Sequence, residues 1–294
     1  QNPYWKYFKP LADYARRISY MISQGNHVCR VGLVYPRTGL WLSGYSFSAD
    51  DTYFKEVQRQ LLDHHIDYDV VDPYSLSKAI SESTGMKIGE EQYKVLILPG
   101  MEAVQSDVMK KIDDFVGNGG ILIGLKELPT ASEKGTPADP HVTQSLTRIF
   151  GFEPDALRQH EYYTLDRKGT EKYLLHENKA GSKGIFTRYV EELPSIIHRQ
   201  IGADVSVEGK GNSWLKIQHR RAGNKEIYFF VNARNEACSF RVSLQQTGRP
   251  FLGDPETGAI TEISNYRLHK GRLEIILDLK PREASFVILE PGSV

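Results

Sequence analysis

The sequence predicts a doubly wound α/β domain followed by a small all-β domain, and three observations point there. Apolar, β-branched strands such as Val28–Tyr35, Tyr93–Leu98 and Ile121–Leu125 alternate with amphipathic helices over the first half of the chain. Strands that are apolar on both faces and separated by helices indicate a parallel sheet covered on both sides. From about residue 203 the pattern changes to short strands divided by Gly-Asn, Asn-Glu, Thr-Gly and Lys-Gly turn signals, the mark of an antiparallel sandwich.

The elements follow in order. Trp5, Phe8, Leu11, Tyr14, Ile18 and Met21 recur at three- and four-residue spacing, which predicts a helix over residues 4–24 closed by Gly25. Val28–Tyr35 is the first strand of the sheet, ended by Pro36, and an aromatic loop Trp41–Phe47 follows. Asp50 or Asp51 can cap a helix reaching His64. Tyr68–Val71 reads as a short strand, Ser75–Ser83 as a helix, Tyr93–Leu98 as a strand stopped by Pro99-Gly100, residues 105–117 as a helix, and Ile121–Leu125 as a strand. Leu128–Pro140 reads as a surface loop, Val142–Phe150 and Glu191–Ile201 as helices, and residues 160–190 can hold a hairpin. Six strands close the chain: Ser213–His219, Glu226–Asn232, Ser239–Leu244, Ala259–Ile263, Leu273–Leu279 and Ala284–Leu289. Right-handed crossovers give the first layer a flavodoxin-like or class I glutamine-amidotransferase-like layout.

Bulk properties exclude several classes. The 294 residues carry 37 basic and 37 acidic side chains, so charge gives no reason to expect nucleic acid or an anionic membrane as partner. No apolar run approaches the ~18 residues of a membrane helix. Cys29 and Cys238 alone cannot make a disulfide framework and read as small buried residues. The start Gln1-Asn2-Pro3 has neither a signal layout nor an initiator Met, which points to a processed or trimmed piece of a longer chain.

Candidate chemistry is sparse. An amidotransferase-like hydrolase needs a nucleophile on the turn after Leu98, and Pro99-Gly100-Met101-Glu102-Ala103 supplies none; Cys29 opens a strand instead of following one. The Pro36–Leu40 loop has one glycine and no phosphate-binding fingerprint. His64 and His65, with Asp67 and Asp69 nearby, point about 100° apart on a helix end and read as structural rather than metal ligands. His219 and His141 lack metal-spaced partners. The pairs Asp50-Asp51, Glu90-Glu91 and Glu191-Glu192 are adjacent, the wrong geometry for opposed glycosidase carboxylates. Trp41, Tyr45 and Phe47 are the candidates for stacking on a sugar, because their loop leaves the carboxyl end of the first strand, where ligands bind in such sheets. No catalytic residue, metal site or cofactor is expected.

Several stretches form an ordered set: Trp5-Lys6-Tyr7-Phe8, Tyr14-Ala15-Arg16-Arg17, Ser23-Gln24-Gly25 into Val31–Pro36, His219-Arg220-Arg221, Ile227–Asn232, Asp254-Pro255-Glu256-Thr257-Gly258, and Leu277–Pro281 through Ser285-Phe286-Val287. The set resembles the part of glycoside hydrolase family 106, the α-L-rhamnosidase-type enzymes, that follows the catalytic barrel. One departure is Phe251-Leu252-Gly253, where the resemblance places a tryptophan beside the Asp254 turn. The resemblance implies an exo-acting, exported bacterial enzyme on plant-polysaccharide rhamnosides. Its catalytic glutamates and associated metal would lie in a barrel before residue 1. It makes residues 1–25 the last barrel helix, 26–202 the α/β domain and 203–294 the β-sandwich. The expected role is a non-catalytic brace for that barrel, inactive alone. The apolar stripe of Trp5, Phe8, Leu11 and Ile18 is then expected to pack on the α/β domain or on a second copy, giving a homodimer. Alternatives are a stand-alone carbohydrate-binding module and an amidotransferase-like hydrolase.

Overall fold

The computed structural model describes residues 3–42, 49–83, 85–134, 138–155, 173–178 and 181–292. It is a mixed α/β structure with one largely parallel sheet and several antiparallel ones. The chain divides into two compact units, Gln1–Val28 with Leu62–Asp67 and Ala203–Val294, and Cys29–Leu61 with Tyr68–Gly202.

A short 3-10 turn, Trp5–Tyr7, runs into α1 (Phe8–Ile22), and β1 (Asn26–His27) and β2 (Val31–Val34) follow. Next come α2 (Arg37–Leu42), α3 (Ala49–Asp63) and β3 (Asp69–Val71). The segment from Arg37 to Leu42 is thus helical, where a loop is expected from Trp41 onward. Asp72 caps α4 (Pro73–Ser77) by accepting from the Tyr74 and Ser75 N–H groups at 2.9 and 3.2 Å. The helix expected over Ser75–Ser83 stops there. The chain turns instead into a three-stranded antiparallel sheet, β4 (Ile80–Glu82), β5 (Gly85–Ile88) and β6 (Glu91–Tyr93). Its alternating polar residues carry no strong period, so the local pattern could not announce it.

β7 (Val95–Leu98), α5 (Ser106–Gly117), β8 (Ile121–Leu125) and α6 (Pro140–Phe150) match the expected elements closely. β9 (Leu174–Glu177) and β10 (Lys183–Thr187) form a hairpin, and β10 also runs parallel to β8. A final helix spans Leu193–Ile201, with Pro194 in its first turn, where a proline costs nothing. The strand order of this sheet is β3-β2-β7-β8-β10-β9, parallel except at the β9 edge. β2 and β7 are buried along their whole length, which is why they read as unbroken apolar runs. Leu96, Leu98, Met109, Ile112, Phe115, Leu122 and Leu146 belong to the core on this sheet.

The other unit adds β11 (Val205–Glu208), β12 (Leu215–Ala222), β13 (Lys225–Asn232), β14 (Cys238–Leu244), β15 (Arg249–Gly253), β16 (Ile260–Glu262), β17 (Tyr266–His269), β18 (Arg272–Leu279) and β19 (Ala284–Glu290). β11, β15 and β17 were not anticipated from sequence. They arrange as antiparallel sheets ordered β1-β12-β13-β19-β15-β16 and β11-β14-β18-β17. Leu215, Tyr228, Phe230, Phe240, Val242, Leu277 and Leu289 share one core. The opposite face of β13 and β19 carries Ile227, Phe286 and Ile288, and Ile18, Met21 and Ile22 of α1 cover it. This double coverage explains why β19 is buried at six successive positions instead of alternating.

The clasp on α1 is polar. Arg17 donates to the carbonyls of Pro255 and Glu256 at 3.0 and 2.6 Å, and Asp254 shapes that turn by accepting from the Glu256 N–H and the Thr257 hydroxyl, both at 2.7 Å. The Asp254–Gly258 stretch singled out in the sequence is therefore the seat of α1. Only the C-terminal half of the helix is seated. Trp5, Phe8 and Leu11 are 72, 47 and 60% exposed, so the stripe expected to be packed away lies mostly in solvent.

Candidate functional site

Two places gather polar side chains with unusual geometry. The first is the carboxyl edge of the parallel sheet. β7 ends at Leu98, and Met101 beyond it is 2% exposed and part of the core, so the position a nucleophile would need is filled by an apolar side chain. Beside it β8 runs into Lys126, which adopts a left-handed backbone with φ 63°. Its N–H still donates to the Thr187 carbonyl at 2.9 Å, extending the parallel ladder by one bond, and its ammonium lies 5.1 Å from the centroid of the Tyr53 ring. The Tyr53 hydroxyl is buried without a partner among the described residues. Burial first, and then the charges of Glu191 and Glu56, push its pKa up, so it stays a neutral phenol. Left-handed backbone costs a non-glycine residue on the order of 1 kcal/mol, and a β-branched one up to about 3 kcal/mol. Lys126→Val is accordingly expected to cost about 2 kcal/mol while Lys126→Gly costs almost nothing. Equal losses in denaturant unfolding would show that the side chain, not the backbone, matters.

The second place is a buried cluster around His219 on β12. The imidazole is 1% exposed and stacks on Tyr228 of the paired strand at 3.9 Å and 14°. Nδ1 faces Asp204 Oδ2 and Nε2 faces Glu226 Oε2, each at 2.9 Å. Two carboxylates on two ring nitrogens require both nitrogens to donate, which makes this an imidazolium. Burial opposes the charge, but the two acceptors outweigh it and hold the pKa above the ordinary histidine value. Burial likewise raises Glu226, but the His219 and Arg221 hydrogen bonds hold its carboxyl below the ordinary range. Arg272 fixes the Asp204 end by donating to the carbonyls of Ala203, Asp204 and Ser243. Nearby, His27 pairs with Asp67 at 2.7 Å, and Asp67 also receives the His219 backbone N–H at 3.4 Å. With both nitrogens engaged and the ring filling the gap between the carboxylates, His219 has no lone pair to act as base. The cluster is a structural pin.

The decisive comparison is at the level of sequence: the profile of the α-L-rhamnosidases, glycoside hydrolase family 106, matches residues 1–268. The chain belongs to this family. A protein of Formosa agariphila named for β-glucuronidase activity is 26% identical over 99% of this chain and 22% of its own length. A solved rhamnosidase from Novosphingobium sp. aligns with a TM-score of 0.66 at 21% identity, over 99% of this chain and 25% of the other. A β-galactosidase from Bacillus circulans sp. alkalophilus aligns at 0.64 with 14% identity, over 95% of this chain and 44% of the other. The chain thus spans about a quarter of the length of the first two relatives, and the solved structures speak for the fold alone.

The remaining sequence candidates fall as follows in this family member. Trp41 lies in α2, with its side chain outside the described residues, and Tyr45 and Phe47 lie outside them altogether. His65 sits at φ 60° past the end of α3, with Nε2 2.9 Å from the Asn212 carbonyl. Cys29 is buried and Cys238 half-buried, and neither forms a disulfide among the described residues. His219 was passed over in the sequence because neither partner has a ligand spacing. The available signal was the β12–β13 hairpin, whose register sets His219 opposite Tyr228 and Arg221 opposite Glu226.

Proposed function

We propose that this chain is the non-catalytic C-terminal region of an α-L-rhamnosidase-type glycoside hydrolase and braces a catalytic barrel that precedes it in the same polypeptide. The observation that carries the reading is the open face of α1. Tyr4, Trp5, Tyr7, Phe8 and Leu11 are 47–72% exposed along the 3-10 turn and the first turn of the helix. A contiguous apolar face of this kind marks an interface. The helix lies within the family match, and relatives that share it are about four times as long, so the occupant is taken from the rest of that enzyme. The filled nucleophile position after β7 and the locked His219 add support, since neither offers chemistry of its own.

The finer fold reading belongs to the same proposal. Numbered by appearance, the parallel strands run 2-1-3-4-5, which supports a flavodoxin-like, amidotransferase-like layer over residues 26–202. Two antiparallel sheets on one core support a β-sandwich over 203–294. The whole enzyme is read as an exported bacterial rhamnosidase acting on plant polysaccharide, and the family's name supports the rhamnosidase part of that reading.

The full-length enzyme is expected to hydrolyse an aryl α-L-rhamnoside and the 294-residue chain to be inert; turnover by the chain alone overturns the reading. Trp5→Ser combined with Leu11→Ser is expected to leave the Tm of the chain unchanged, but to remove about 3 kcal/mol of stability from the full-length enzyme. No loss in either protein would exclude the face as a seat. A dimer of the chain that the substitutions dissolve would assign it to a second copy.

A further inference from the structure

At the amino ends of β2, β7 and β8 the parallel-sheet unit opens into a cleft of about 500 Å³, lined by Arg30, Ser83, Lys94, Gln200, Ile201 and the Gly119–Gly120 backbone. The volume lies in the range of small-ligand sites. Among the described residues the lining holds two cations and no carboxylate. The main chains that carry the two cations are neighbours, because the Lys94 and Val95 N–H groups both donate to the Arg30 carbonyl, at 2.9 and 3.1 Å. Like charges on adjacent strands repel, and an anion between them removes the penalty.

The donors are only partly used. Arg30 gives Nη1 to the Ile201 carbonyl at 2.8 Å and Nη2 to that of Gly202 at 3.1 Å, where the end of the Leu193–Ile201 helix attracts a cation. The Lys94 ammonium makes no hydrogen bond or ion pair among the described residues, and its side chain is exposed. Gln200 Oε1 accepts from Lys183 Nζ at 2.9 Å, which leaves its amide NH2 available to donate. Ser83 adds an exposed hydroxyl. Residues bearing ammonium, guanidinium and amide donors line a sugar-sized space that, among the described residues, holds no side chain of opposing charge.

We propose that this cleft binds an acidic sugar unit, through the carboxylate of a uronate or the sulfate of a sulfated sugar. The site uses only the membership of a carbohydrate-active family and does not depend on the bracing role. The test is calorimetry of the 294-residue chain with tetragalacturonate, a κ-carrageenan tetrasaccharide, maltotetraose and inorganic phosphate. One acidic tetrasaccharide is expected to bind, more weakly as salt rises, with the two acidic probes separating carboxylate from sulfate, while maltotetraose gives no heat. Lys94→Glu is expected to weaken that binding at least about tenfold with an unchanged Tm, since the side chain is exposed. The proposal is overturned if neither acidic probe binds, if Lys94→Glu binds as tightly as the parent, or if inorganic phosphate binds as tightly as the tetrasaccharides.

Discussion

Replacing His219 by leucine is expected to cost about 3 kcal/mol of folding stability, because removing one member of a buried charged cluster strands the others. Asp204 and Glu226 would face each other across an apolar side chain, with Glu226 keeping only Arg221. The same cluster sets a pH signature. The folded pKa of His219 is raised above its ordinary 6.5, so its contribution is fully present below that value and is lost as pH rises through the folded pKa. Glu226 is lowered from 4.5, so its contribution is present above that value and is lost as pH falls through its folded pKa. The cluster is therefore most stabilising between about 4.5 and 6.5. Urea unfolding at pH 5.5 and pH 9 should show the parent losing more stability over that interval than His219→Leu. Parallel losses in the two proteins would remove the imidazolium from the account.

Gly25→Ala is expected to be nearly as damaging, on the order of 3 kcal/mol, by a different mechanism. Gly25 lies three residues past the end of α1 with φ +55°, and a Cβ there would sit 1.9 Å from the Arg221 carbonyl oxygen. The backbone is held from both sides. β1 pairs Asn26 with Arg221 and His27 with Arg220, while the Arg220 guanidinium donates to the Gln24 and Gly25 carbonyls, both at 2.7 Å. Neither partner can retreat, because the clashing atom is main chain within the sheet. A thermal midpoint within a degree of the parent would show that this turn relaxes more freely than its bonding indicates.

Both effects show where the sequence was legible and where it was not. Ile121–Leu125 was readable to the residue, because a strand buried on both faces leaves an unbroken apolar run. α5 and α6 were readable because one face of each is apolar at helical spacing. β4 to β6 were not, because short half-exposed strands with residues such as Glu82, Lys87 and Gln92 carry no clear period. The helix expected through Ser83 failed for the same reason, losing to a turn after Lys78. The aromatic residues put forward as sugar contacts remain a proposal, with only the backbone of Trp41 placed.

The sequence by itself determined the family, the alternation of strands and helices, and the absence of a nucleophile after β7. Each of these depends on a few residues read in order. The tertiary structure alone decided that Asp204 and Glu226 meet at His219, that Arg17 of α1 grips the Asp254 turn, and that Arg30 and Lys94 share a cleft. Partners seven to more than two hundred positions apart are chosen by strand register and packing, which no local period encodes. The open aromatic face of α1 needed both: its stripe was written in the sequence, but only the fold showed that the stripe is half seated and half in water.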